Sequence, residues 1–176
     1  MADKRARSIK MPYKSLLKTP CYICEEELLD NNLKLLNYVQ QESGAKIILA
    51  LKGFAMWSTF DTVSKYLKGC TSSGLHEARL AREEFCKYNP HAEVHTYSPA
   101  FKDEDIEEIA KISDHIVFNT PAQLFKYKDI VKKINPHAGL HTYSPAFKDE
   151  DIEEIAKISD HIVFNTPAQL FKYKDI

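Results

Sequence analysis

Apolar positions fall in short blocks along the chain, and the spacing inside each block changes from block to block. In "EEELLDNNLKLLNYVQQE", 25–42, Leu29, Leu33, Leu36 and Val39 recur at three or four residues and predict an amphipathic helix, stopped by Gly44. "KIILAL", 46–51, is apolar almost without interruption and predicts a strand buried on both faces, as in a parallel sheet. "TPCYIC", before the helix, reads as a short strand. Ser58 is placed to N-cap a helix running to about Lys68, with Gly69 as its stop. A short strand near Cys70 and Thr71 leads through "SSG" into the helix "LHEARLAREEFCKY".

Strand 93–97 follows, then a helix capped by Asp103 with Ile106, Ile109 and Ala110 as its apolar positions, then strand 115–118. Thr120, Pro121 and Gln123 have the spacing of a capping box with proline in the first turn. Leu124, Tyr127, Val131 and Ile134 line the buried face of the helix they open. Strands alternate with helices about every 23 residues, the rhythm of βαβ units in a parallel sheet.

That rhythm contains a duplication. Residues 95–130 recur letter for letter at 141–176, and "NPHAEV" at 89–94 returns as "NPHAGL" at 135–140. Even "KDEDIEE", a solvent-facing stretch, is unchanged, although surface substitutions are nearly neutral for stability. A recent duplication, an engineered one and an error of sequence assembly each account for such identity. The chain accordingly divides into a basic arm at 1–10, a body at 11–134 and a copy of 89–130 at 135–176.

Composition changes this picture little. The 176 residues are 44% hydrophobic and 28% charged with formal net charge −1, which fits a soluble globular protein and gives no signal for nucleic acid. No apolar run suggests a membrane span, and the basic arm lacks the apolar segment of a secretory signal. A cytoplasmic location is the expectation. Cys21 and Cys24 have C-x-x-C spacing, but on a strand their thiols would diverge, and no second pair completes a zinc site. Reduced thiols and no metal are expected.

The candidate chemistry sits at the end of the apolar run. Lys52 follows "IILAL" and precedes Gly53. A lysine there either reaches for water or stands at the C-terminal mouth of an α/β barrel, where functional groups gather. Partial desolvation would lower its pKa and expose a neutral, nucleophilic amine, and Gly53 would let the backbone turn sharply beside a bulky ligand.

Four stretches carry a resemblance: "TPCYICEEELLDNNLKLL", "SGAKIILALKGFAMW", "LKGCTSSGLHEARLAREEF" and "EVHTYSPAFKDEDIEEIAKISDHIVFN". They resemble the carboxynorspermidine/carboxyspermidine decarboxylases, pyridoxal-phosphate barrel enzymes of the alanine-racemase-like class, from about Met11 to Asn135. The resemblance implies a (β/α) barrel, here partial with about six βα units and without the C-terminal β-domain. It implies pyridoxal 5'-phosphate as cofactor, a Schiff base at Lys52, carbon dioxide release from a polyamine precursor, and a homodimer. Ser73 and Glu77 match cofactor-pocket positions, with helix capping as the equal alternative. His95 and its copy His141 read as hydrogen-bonded histidines at strand ends. The glycine-rich phosphate loop, an acidic partner for the pyridine nitrogen and the later barrel strands have no match here. Three functions stay open: a truncated, duplicated decarboxylase without effective turnover, a barrel-only cofactor-binding protein, and a duplicated chain without function.

Overall fold

The computed structural model describes residues 17, 18 and 20–176. Six parallel strands form one open sheet in chain order: β1 (Leu49–Ala50), β2 (Gly69–Ser72), β3 (Glu93–Ser98), β4 (His115–Phe118), β5 (Gly139–Ser144) and β6 (His161–Phe164). Helix α1 (Glu26–Ser43) precedes β1, α2 (Phe60–Val63), α3 (Leu75–Leu80), α4 (Ile106–Ile112), α5 (Pro121–Ile134) and α6 (Asp149–Ile158) fill the five connections, and α7 (Pro167–Tyr173) follows β6. Sequential parallel pairing with helical crossovers is the winding of a (β/α) barrel. Among the described residues β1 and β6 are each paired on one side only, and the barrel is partial.

Strand alternation sets two faces. Val94, Thr96, Ile116, Phe118, Leu140 and Thr142 point toward the helices and are fully or almost fully buried. Two apolar clusters lie on that side. One joins Leu33, Phe60, Val63, Ala78, Phe85 and Val94, and the other joins Ile106, Ile109, Phe118, Leu124, Val131 and Ile155. The opposite face, lined by His95, Tyr97, His115, His141 and Tyr143, is half-buried.

The copied halves fold alike. In each, a strand-borne hydroxyl meets a serine, Thr96 with Ser113 at 2.7 Å and Thr142 with Ser159 at 2.6 Å. In each, an aspartate after the first helix accepts from a strand N–H, Asp114 from Val94 and Asp160 from Leu140, both at 2.7 Å. The Thr120 and Thr166 hydroxyls accept from the Gln123 and Gln169 N–H groups, as the capping-box spacing predicts. The helix starts differ. α6 begins at Asp149, whereas the matching Asp103 lies in a turn before α4, although both carboxylates accept from the equivalent lysine and tyrosine, Lys126 and Tyr127 or Lys172 and Tyr173.

Several expectations are corrected. The described part of "TPCYIC", residues 20–24, forms no strand: residues 21–25 carry no regular structure, Cys21 is exposed, and among the described residues no strand pairs with the outer side of β1. The run 46–51 is a strand only at 49–50 by its full ladder. Bonds from Lys68 N–H to Ile47 O and from Leu51 N–H to Thr71 O still tie its ends to β2. As an edge strand it is half-buried rather than buried on both faces. Helix 58–68 shrinks to a 3-10 turn at Trp57–Thr59 and one α-turn at Phe60–Val63, and Ser58 makes no cap. Gly69 does not end that helix; it opens β2, where a Cβ would lie 2.0 Å from Glu93 O on the neighbouring strand. On α1, Leu33 and Gln40 are buried while Leu36 and Val39 stay largely exposed, because Gln40 turns inward to bind Tyr66 O and the Ile47 N–H.

Candidate functional site

Lys52 stands where the pattern places it, at the C-terminal end of β1, in a turn closed by Gly53 N–H and Phe54 N–H donating to Ala50 O at 2.9 and 3.0 Å. Its side chain is exposed rather than partly desolvated. Among the described residues it has no hydrogen-bond or ion-pair partner in the structure. Gly53 is not in the left-handed region; among the described residues that conformation occurs only at Gly44, with φ 70°. The turn therefore does not require a glycine at 53, and a Cβ there would meet Ala50 O at an ordinary 3.4 Å.

The neighbouring strand ends build an open cleft of ≈ 500 Å³, between the β2–α3 and β3–α4 connections. Ser73, Gly74, Glu77 and Arg79 line one wall, and Ser98, Phe101 and Lys102 the other. Both residues proposed for a cofactor pocket are thus at the C-terminal mouth of the sheet. Their local geometry is a cap: the Ser73 N–H donates to Glu77 Oε2 at 2.7 Å. Arg79 is held by Glu108 through two bonds of 2.5 Å, and those bonds keep the Glu108 carboxyl below its ordinary range. Lys102 pairs with Glu104 at 3.7 Å.

His95 and His141 do not end their strands. Each is the third residue of its strand, on the concave face, in the half away from the mouth. His141 Nε2 is 3.0 Å from His115 Nδ1, so one of the two is hydrogen-bonded as expected. His95 Nε2 is buried and has no hydrogen-bond partner among the described residues. Burial, and then the neighbouring His115, hold both rings below the ordinary histidine range, His141 at about 4. Both are neutral at pH 7. Sequence reading missed Glu93 and His115 as neighbours of this group. The signal was there in strand parity, since Glu93 and His95 share a face and His115 opens the next strand.

Cys70 and Cys86 are buried, and burial pushes both thiols up, away from the reactive thiolate. No described helix is long and apolar enough to cross a membrane.

No family model matches the chain. It is 51% identical over 117 residues to the carboxynorspermidine/carboxyspermidine decarboxylase of Campylobacter jejuni, a stretch covering 66% of this chain and 29% of that protein. The carboxyaminopropylagmatine decarboxylase of Synechocystis is 39% identical over 132 residues, 75% of this chain and 33% of the relative. The crystal structure of the Campylobacter jejuni carboxynorspermidine decarboxylase complexed with norspermidine superposes with a TM-score of 0.73 at 39% identity. That match covers 85% of this chain and 41% of the crystallised one. The chain thus spans about a third of the length of the curated relatives it matches. Over that stretch it is homologous to the carboxynorspermidine/carboxyspermidine decarboxylases, as a partial barrel of their type.

Proposed function

We propose that the chain carries the lysine-bearing part of a pyridoxal-phosphate-dependent decarboxylase acting on carboxynorspermidine or carboxyspermidine, and that its 176 residues alone attach the cofactor without effective turnover. The observation that carries this reading is Lys52: an exposed amine at the C-terminal end of a barrel strand, unpaired among the described residues. The homologues supply the reaction class. When bound, pyridoxal phosphate supplies an electron-withdrawing ring that takes up the electron pair left as carbon dioxide departs.

The donor set fits attachment and little else. A free amine suits a carbonyl carbon once neutral. Anchoring needs more groups than are free. Arg79 is committed to Glu108 and the Ser73 N–H to Glu77, and Lys102 makes only an exposed ion pair with Glu104 at 3.7 Å. Lys52 does not line the cleft that holds them, so water is not excluded from its amine. Loss of one preorganised electrostatic group commonly costs about 10²–10³ in rate. Among the described residues no such group bonds to Lys52, which supports negligible turnover.

Incubation with pyridoxal phosphate, borohydride reduction and peptide mass mapping tests this. The expected result is a reduced adduct at Lys52, absent in Lys52→Ala, with no carbon dioxide release from carboxynorspermidine above that of the variant. Labelling confined to other lysines overturns the attachment site. Robust carbon dioxide release that Lys52→Ala abolishes overturns the claim of negligible turnover.

A further inference from the structure

The concave face carries chemistry that the lysine does not use. Four imidazoles cross it, one per strand: His95, His115, His141 and His161. His95 and His115 stack with ring centres 4.3 Å apart and planes 20° apart. His115 and His141 follow at 4.9 Å, and His141 and His161 at 4.6 Å. Glu93 is on the same face two residues before His95, with Oε2 3.5 Å from His95 Nε2. One ligand-type atom from each of Glu93, His95 and His115 lies within 4.8 Å of the others.

We propose that Glu93, His95 and His115 form a binding site for one divalent late transition-metal ion, such as zinc, cobalt or nickel.

Mixed imidazole and carboxylate donors suit such ions. Donors about 2.0–2.1 Å from a tetrahedral metal stand roughly 3.3 Å apart, so the three atoms must draw together by about 1.5 Å at most. Turning the two rings and one carboxylate about their broad terminal torsions does this without moving backbone. The buried His95 Nε2 points the same way: it makes no hydrogen bond among the described residues, its contact with Glu93 Oε2 at 3.5 Å is marginal, and a metal bond would satisfy it. His115 Nδ1 and His141 Nε2 are 3.0 Å apart, and with the proton on His115 Nδ1 that bond leaves His115 Nε2 as the free lone pair and fixes the ring, as outer partners of metal-binding histidines do.

The copied half is an internal control. Its strand β5 has Gly139 where β3 has Glu93, so His141 and His161 face no carboxylate from that position. The missing side chain also makes room for the site, since a Cβ on Gly139 would lie 2.4 Å from His115 Nδ1. One ion per chain follows. Lys46 is the competitor: its Nζ holds Glu93 Oε1 at 2.6 Å.

Cobalt(II) titration of the full chain, followed by visible absorption, is the test. Expected are one ion per chain and intense low-coordination bands. His95→Gln and His115→Gln each weaken binding by about 10-fold or more, Lys46→Gln tightens it several-fold, and Cys21→Ser with Cys24→Ser leaves it unchanged. No saturable binding in the parent chain overturns the proposal. So does binding that survives both histidine changes, or binding lost with the cysteine pair. If the histidine variants fail to fold, the exposed Lys46→Gln decides alone, and no gain in affinity there counts as refutation.

Discussion

Phe118 and Phe164 sit in the same sequence, on the same strand position of the two copies, against the same kinds of ring. Phe118 has Phe101 at 5.6 Å and Tyr127 at 6.2 Å; Phe164 has Phe147 at 5.7 Å and Tyr173 at 6.0 Å. Their surroundings differ. Phe118 lies on an inner strand with 0% exposure, while Phe164 lies on the edge strand β6 and is only partly buried. Truncation to alanine separates two energies. At Phe118 both the lost transfer energy and a closed cavity count, for about 3–5 kcal/mol. At Phe164 water enters the space, no dry cavity forms, and only part of the transfer energy is lost, about 1–2 kcal/mol. The difference of about 2 kcal/mol corresponds to roughly 4–8 °C in Tm for a chain of this size. Urea and thermal unfolding of Phe118→Ala and Phe164→Ala, followed by far-ultraviolet circular dichroism, measures it. Equal losses would refute the reasoning, because local sequence and ring partners would then outweigh position in the sheet.

Two further outcomes are expected. Gly69→Ala drives a Cβ into Glu93 O, whose backbone cannot yield without parting β2 from β3, and should cost about 3 kcal/mol in urea unfolding; Gly53→Ala, with room for its methyl, should stay within about 0.5 kcal/mol of the parent. Asp160 is held below the ordinary carboxylate range, first by the Leu140 N–H, so its contribution is present above about pH 4 and is lost as pH falls through its lower folded value. Asp160→Asn should therefore flatten the acid limb of the stability curve and cost, given its half-exposed side chain, about 1 kcal/mol at pH 7 and almost nothing near pH 2, read from urea midpoints across pH.

The strand–helix alternation was legible wherever local chemistry and burial agree. The Thr120–Pro121–Gln123 start of α5 and its buried Leu124, Tyr127 and Val131 follow from caps and periodicity, and the structure has them. Misreadings cluster where a partner strand or covering element decides. "TPCYIC" has strand-like residues but no strand to pair with, and "IILAL" is apolar on both faces yet lies at an edge. Ser58 and Gly69 have the look of helix punctuation, but sheet packing uses Gly69 as a point of close strand approach instead. Lys52 was placed correctly along the chain, but its exposure depends on what packs over β1, which no local pattern encodes. Strand parity puts Glu93 and His95 on one face, but the row of histidines is made across strands by register, which no single strand encodes.

The strand β6 repeats β4 residue for residue, and β4 is the strand on which β5 assembles. The free side of β6 therefore offers an incoming "GLHTYS" segment the same backbone groups and the same side-chain spacing that β4 offers inside the molecule. A closed barrel ends such a series by bringing its last strand to its first, but here the first strand, β1, has an unrelated sequence. Among the described residues β1 and β6 are unlike edges, so a contact made between them across two chains would be heterologous rather than isologous.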